Sequence, residues 1–196
     1  RDQSYAAWIV HDLSSMASSK SLSTNVGHYK ALTLAASLAA EHGDDARARK
    51  YNAWARELKK AINTRLWLPG AGMYSSLTAG HFDGAPMHKF DWLGQALAIV
   101  TGIADDAKAR SVLARYPHGP MGAPVIYPQQ QGMPVYHNRA MWPFVTAYGL
   151  KAAAMAASSG RAARRARVRA RASWTNVATT APRNAARPRT PVSAAI

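Results

Sequence analysis

Polar and aromatic side chains that could contact a ligand crowd together in a short segment near residue 140. Pro143 follows at once and opens a stretch with apolar residues at helical spacing. An interior proline removes a hydrogen bond and clashes with the preceding turn, so Pro143 must lie in the first helical turn. The crowded residues then lie at the N-terminal end of the helix and in the loop before it, which we call the helix mouth. Such crowding is typical of a polar-ligand site, although an ordinary buried helix start is the other interpretation. They are Tyr136, His137, Asn138, Arg139 and Trp142.

Arg139 is the residue of this segment that folding alone explains least. A helix dipole disfavours a cation at the N-terminal end, so Arg139 needs a carboxylate partner or an anionic or polyhydroxy ligand. If it serves a pocket, its side chain is expected near Asp91 or Tyr136. The alternative is a surface arginine whose guanidinium faces solvent.

The composition offers little for redox or metal chemistry. The chain has no cysteine, which excludes a thiol nucleophile, a disulfide and a cysteine-ligated metal. Its seven histidines show no paired ligand spacing. We therefore expect neither a metal nor another cofactor.

Helical periodicity predicts the scaffold that positions these groups. Three segments are apolar on nearly every face and predict buried inner helices, and two are amphipathic and predict outer helices. Ser23-Thr24-Asn25 is a strong N-cap cluster for the first inner helix, and turn residues near 70 predict a short hairpin. The inner helices are expected near 26–42, 88–101 and 142–157, and the outer helices near 44–66 and 105–115.

The helical segments form a repeat. Asp-Asp-Ala-Arg-Ala-Arg follows the first apolar helix, and Asp-Asp-Ala-Lys-Ala-Arg follows the second. The first aspartate of each run, Asp44 or Asp105, is predicted to cap the outer helix. One glycine is predicted to end each apolar helix, at Gly43, Gly102 and Gly160, with spacings of 59 and 58 residues. Repeated helical hairpins of this length indicate a toroid or solenoid whose inner-helix loops line a central pocket.

The net charge of +15 is concentrated near the C-terminal end. Residues 160–196 contain nine arginines and no acidic residue, so they carry +9 and the rest of the chain carries +6. The repeat breaks after Gly160, where too few apolar residues remain to offset the entropy of ordering the segment. We expect a helical domain at 1–159 and a basic tail at 160–196 that is disordered or non-native. The other interpretation of the tail is a nucleic-acid-binding segment.

Hydropathy gives no sign of a membrane protein. No run of about 18 apolar residues without a charge occurs, so no membrane span is expected. The chain opens with Arg1 and not with Met, so we expect its natural N-terminus to lie upstream. No cellular location is predicted.

Three motifs stand at the starts of the predicted inner helices: S-L-S-T-N-V-G-H-Y-K-A-L, F-D-W-L-G-Q-A-L-A-I-V-T-G-I-A and P-V-Y-H-N-R-A-M-W-P-F-V. They resemble the six-hairpin glycosidases, and within that superfamily they look closest to bacterial proteins of the glycogen-debranching or mannosylglycerate-hydrolase type, relatives of trehalases. The resemblance covers residues 1–157 and implies an (α/α)6 barrel of twelve helices. With three inner and two outer helices, the chain is expected to be an all-α fragment of roughly half that toroid.

Such enzymes use two carboxylates, one protonating the leaving oxygen and one activating water. R-D-Q-S-Y at the start resembles part of the family's catalytic region, so Asp2 is one candidate. Asp91 is the other, although a helix N-terminus lowers a carboxyl pKa, which suits a base and works against a general acid. Asp91 as a structural N-cap is the alternative. The family's general acid is expected upstream of Arg1 and the base beyond Gly160.

The resemblance also implies a carbohydrate-binding surface. The five residues at the mouth of the last inner helix match the family segment one by one; Trp142 and Tyr136 would stack on sugar faces while the others bond hydroxyl groups. Asn25 and His28 occupy the equivalent mouth of the first inner helix, although a lone histidine is more often structural. Gln95 lies one turn after Asp91 on the same face.

The resemblance implies a parent enzyme that hydrolyses an α-linked glucoside or related sugar, so the expected partner is a carbohydrate. This chain is expected to be an inactive fragment of that enzyme. A sugar epimerase on the same fold is one alternative and would use histidines as proton-transfer groups. A basic nucleic-acid-binding protein is another, acting through the tail with steep salt dependence. We expect nucleic acid not to be a biological partner.

Overall fold

A computed structural model describes residues 19–78, 84–129, 135–136 and 138–179, with side-chain burial given as far as Arg161. Helices dominate, as expected, and short antiparallel strand pairs join some of them. No helix in the described ranges is long and apolar enough to cross a lipid bilayer. In chain order the elements are α1 (Leu22–Glu41), α2 (Asp45–Arg65), β1 (Trp67–Leu68), β2 (Met73–Tyr74), β3 (Phe90–Asp91), α3 (Trp92–Val100), α4 (Asp106–Arg115), β4 (Ile126–Tyr127) and α5 (Pro143–Thr179).

The first inner helix begins earlier than its cap cluster predicts. Ser21 is the N-cap, and its hydroxyl accepts a hydrogen bond from the Thr24 backbone N–H at 3.3 Å. The expected burial on every side is also wrong, because Leu34 is 54% exposed and Leu38 is 47% exposed. An apolar face becomes buried only where another element packs on it, and in the described residues α1 buries one face, chiefly against α2 and α3.

The outer helices follow the prediction closely. Asp44 accepts from the Arg47 N–H at 2.9 Å and Asp105 from the Lys108 N–H at 2.8 Å, so each aspartate caps its helix. These bonds satisfy N–H groups that a helix start leaves without partners. Gly43 and Gly102 adopt φ of 75° and 76° and end the helices before them, as expected.

Two small strand pairs fix the ends of the helices. β1 pairs with β2 in the predicted hairpin, with Trp67 opposite Tyr74. β3 pairs with β4, with Asp91 opposite Ile126. The expected start of the second inner helix at residue 88 is therefore wrong: the backbone at 90–91 is extended by pairing with a segment some 35 residues later, and α3 starts at Trp92.

The last helix starts at Pro143 as predicted but does not stop at Gly160. It runs to Thr179, and the expected helix end at 157 is wrong. Alanine and arginine, both strong helix formers, dominate the sequence that follows, and a glycine inside a helix costs only about 1 kcal/mol relative to alanine. The chain divides into compact units at 1–159 and 160–196. The expected disorder of the basic tail stays a prediction, and residues 180–196 lie outside the described ranges.

The core gathers around α3. Trp92, Ala96 and Ile99 on that helix are buried together with residues from the other described elements, except that the residues of β1 are only half-buried against this core. The N-terminal ends of α1 and α5 carry candidate site residues. Because α3 lies at the centre of the core, its contacts help to position both of these helix ends.

Candidate functional site

Asp91 is a buried carboxylate that caps α3. It is 1% exposed, and its Oδ2 accepts from the Gly94 N–H at 2.6 Å. A Cβ at position 94 would lie 2.5 Å from that oxygen, so glycine at 94 makes room for this orientation of the Asp91 carboxylate. The geometry is that of the structural N-cap considered from the sequence, and catalysis by Asp91 stays a prediction. Asp2 lies outside the described residues.

Gln95 connects α3 to the β1–β2 hairpin. Its Oε1 accepts from the Tyr74 N–H at 3.0 Å, and its Nε2 donates to the Tyr74 carbonyl at 2.5 Å. The side chain is fully buried, so both ends of the amide are used by the backbone. A contact between Gln95 and substrate stays a prediction; the position of its amide is explained by the fold.

The segment before α5 is folded tightly around one carbonyl group. The Val135 carbonyl lies within hydrogen-bond distance of three backbone N–H groups, those of Asn138 (3.1 Å), Arg139 (2.7 Å) and Ala140 (3.0 Å). The Ala140 carbonyl in turn accepts from the Val125 N–H at 2.9 Å. These bonds tie the helix mouth to the strand segment that enters β4 and restrict its backbone.

Within this segment the structure separates exposed rings from a buried amide. Tyr136 is 65% exposed, whereas Asn138 is 3% exposed. The Tyr136 and Trp142 rings lie 5.0 Å apart, and Phe144 follows 5.7 Å beyond Trp142. His137, expected to bind substrate, lies outside the described residues. The result is a row of three aromatic rings at the mouth of α5, which we call the aromatic row.

Sequence reasoning missed Phe144 as a site residue, because its helical spacing indicated a core position. It is 50% exposed, while Val145 beside it is buried. Its position directly after the Trp-Pro pair was the one available signal. A residue in the first turn of a helix lies beside the loop that precedes it, even when its spacing matches the buried stripe.

Arg139 is exposed and has no carboxylate partner among the described residues. The ion pairs there are Arg47 with Asp44 and Lys108 with Asp105. No carboxylate partner for Arg139 is therefore seen in the described ranges, and its exposure agrees with both of the other interpretations: a residue that binds a ligand, or a surface arginine that faces solvent.

Asn25 and His28 have different surroundings although both lie in the first turns of α1. Asn25 is half-buried, donates to the Ser21 carbonyl at 2.7 Å and lines a cavity beside Arg65. His28 is exposed. Their grouping as one sugar-binding pair stays a prediction.

An aromatic cluster that the sequence did not reveal supports the helix mouths. The Trp92 ring lies 4.7 Å from Tyr116 and 5.0 Å from His118. The Tyr116 hydroxyl donates to the Pro124 carbonyl at 2.8 Å. Lys89 donates to the Pro128 carbonyl at 2.8 Å, and burial lowers the pKa of its ammonium group. The contacts of Trp92 and Tyr116 hold the loop before β4 against α3, and the Lys89 bond joins the residue before β3 to the residue after β4.

Two further ionisable groups have shifted pKa values for structural reasons. Burial raises the pKa of Tyr74, and the nearby negative charge of Asp105 adds to that rise. Hydrogen bonds from the backbone and then the side chain of Lys108 lower the pKa of Asp105. In the described ranges, no group of three or more His, Cys, Asp or Glu side chains is arranged to hold a metal ion.

Comparison with known proteins agrees with the architecture. The family model for the mannosylglycerate hydrolase MGH1-like glycoside hydrolase domain matches residues 5–181. A solved structure described as a sialidase superposes with a TM-score of 0.61 at 16% sequence identity, over 70% of this chain and 13% of that chain, a likeness that shows the fold alone. The chain thus spans a small part of the length of that structure. No curated protein sequence matches.

The family match covers most of the chain and includes both helix mouths, and the helical hairpins agree with the resemblance to six-hairpin glycosidases seen in the motifs. The chain belongs to the mannosylglycerate hydrolase MGH1-like glycoside hydrolase domain family.

Proposed function

We propose that this chain supplies carbohydrate-binding surface to a glycoside hydrolase that acts on an α-linked glucoside or related sugar. The aromatic row carries the proposal. Exposed rings cost free energy in water, and stacking on the apolar face of a sugar ring would cover them. Arg139 lies on the same segment and can donate to hydroxyl groups.

The reaction proposed for the whole enzyme is two-carboxylate acid/base hydrolysis. One carboxyl group protonates the leaving oxygen and the other activates water, about 6.5–9.5 Å away if the reaction inverts. Of the described carboxylates, Asp91 is enclosed as a cap, and the others lie at outer-helix caps or on exposed helix surface. We therefore propose that this chain binds sugar and that it is inactive when alone.

Binding of α-linked glucosides to the 196-residue chain tests the proposal. We expect saturable binding of maltotriose in calorimetry, weakened about tenfold in Trp142→Ala, because a stacked ring adds roughly 0.5–1.5 kcal/mol beyond the area it buries. Trp54→Ala is the control: Trp54 is 47% exposed, whereas Trp142 is half-buried, and Trp54 lies on α2 under the Lys50 ammonium, away from the aromatic row.

Equal losses in the two tryptophan variants would show that any exposed indole accounts for the binding. Absence of saturable binding to the unsubstituted chain would contradict the proposal directly. An intact fold in both variants, checked by circular dichroism, is required for either comparison.

A further inference from the structure

A cavity of about 290 Å³ lies where the first turn of α1 meets the last turns of α2. At roughly 30 Å³ per water molecule, it has room for about ten waters or a small organic molecule. Its apolar lining comes mainly from Leu58, Ile62 and Leu66. The described lining residues lie within 20–25, 58–66 and at 78, so the cavity shares no residue with the aromatic row.

Two cationic side chains, Lys20 and Arg65, line the same cavity. Neither takes part in the two ion pairs of the described ranges, which use other lysine and arginine side chains. Both residues are exposed, and their positive charges lie beside one apolar lining, so an anion bound in the cavity would be attracted by both. The cavity is thus electrostatically suited to negative charge.

Two uncharged polar side chains complete the lining. Thr78 is 4% exposed, and its Oγ1 accepts from the Lys20 backbone N–H at 3.1 Å, which leaves its own hydroxyl hydrogen able to donate. Asn25 uses one N–H on the Ser21 carbonyl at 2.7 Å and has a second N–H to offer. Donors from several sides and an aliphatic patch therefore meet in one cavity.

We propose that this cavity binds a small amphipathic anion, a carboxylate or phosphate carried on a short aliphatic body. The anionic group lies between Arg65 and Lys20 and accepts hydrogen bonds from Thr78 and Asn25. The aliphatic body covers the apolar lining from α2. Arginine suits both anions, because its planar fork can donate two parallel hydrogen bonds to a carboxylate or phosphate. The proposal uses no residue of the aromatic row, which carries the proposed sugar binding; Asn25 is the one lining residue that the family resemblance also assigned to sugar.

Titration of the 196-residue chain with hexanoate, hexyl phosphate and the neutral hexanamide tests the proposal. We expect saturable shifts of the Thr78 backbone amide and the Asn25 side-chain amide in ¹H–¹⁵N spectra with at least one of the two anions. Which anion binds more tightly distinguishes carboxylate from phosphate. Hexanamide should bind at least about tenfold more weakly, because it lacks the charge-assisted bonds. Inorganic phosphate alone should also bind more weakly, because it leaves the aliphatic lining uncovered.

Substitution of the lining cations sharpens the test. Arg65→Ala should weaken anion binding about tenfold, and Lys20→Ala gives a second variant should the first fail to fold. Arg49→Ala is the control, since Arg49 is an exposed cation on the same helix outside the lining, and its binding should be unchanged. The proposal is overturned by absence of binding of both anions, by equal binding of hexanamide, or by equal losses in Arg65→Ala and Arg49→Ala.

Discussion

The Trp92 indole lies so close to the Gly149 backbone that a Cβ at position 149 would come within 2.5 Å of Nε1. Trp92 is the first residue of α3, and Gly149 lies in the second turn of α5. The same indole packs on Tyr116 and His118. One buried side chain therefore sets how closely α5 approaches the core helix, and with it the position of the aromatic row.

Gly149→Ala is expected to destabilise the protein by about 1–3 kcal/mol, because the new methyl group must displace the buried Trp92 ring. The higher helix propensity of alanine, about 1 kcal/mol, offsets only part of that cost. Urea unfolding measures the difference. Gly27→Ala is the matched control: Gly27 is also inside a helix, but a Cβ there meets nothing within 4 Å, so this variant should be as stable as the parent or slightly more stable. Equal effects at the two positions would show that Trp92 does not require the glycine.

Gln95→Leu is expected to lower the free energy of unfolding by about 1–3 kcal/mol for each Tyr74 backbone group left buried without a partner. Thermal unfolding and hydrogen exchange of the Tyr74 amide measure the two consequences. Gln129→Leu, at an exposed position, should change little. Unchanged exchange at Tyr74 in Gln95→Leu would contradict the structural role and leave substrate binding as the explanation for this glutamine.

Asp105 makes the stability of α4 depend on pH. Its pKa is lowered in the folded state, chiefly by the Lys108 backbone hydrogen bond, so its contribution is present above the unfolded pKa of about 3.9 and is lost as pH falls through the lower folded value. Asp105→Ala should cost about 1 kcal/mol at pH 7, the usual value of an N-cap, and progressively less below about pH 4. Unfolding free energies measured from pH 7 to pH 2 test this, with Glu57→Ala, an exposed mid-helix carboxylate, as control. A difference that stays constant with pH would rule out the capping carboxylate as its cause.

Arg139→Ala in the whole enzyme is expected to lose most glycosidase activity while the protein still folds. The substitution removes an unfavourable charge near the start of α5, which offsets part of any lost packing. Steady-state kinetics and thermal unfolding separate the two effects. Arg49→Ala is the control, since it removes another exposed cation, from α2. Turnover equal to that of the parent enzyme would show that the helix mouth is not the sugar site.

The sequence determined the features that depend on neighbours a few residues apart. Asp44 and Asp105 cap their helices by accepting from backbone N–H groups three positions later. Pro143 begins α5 because its ring and its missing N–H prevent the helix from extending toward the N-terminus. The crowding of Tyr136 and Trp142 is likewise local, since they lie only six positions apart in the chain. Such interactions are encoded in residue type and spacing.

Tertiary structure alone decided which apolar side chains are buried and which partners the buried polar groups bond. The spacing of Leu34 and Phe144 marks them as core positions, yet both are about half exposed, because burial needs a partner from a distant segment. The Gln95 amide bonds Tyr74, twenty-one residues earlier, and Asp91 pairs across to Ile126. These contacts join segments far apart in the chain, and no local pattern of residue types specifies them.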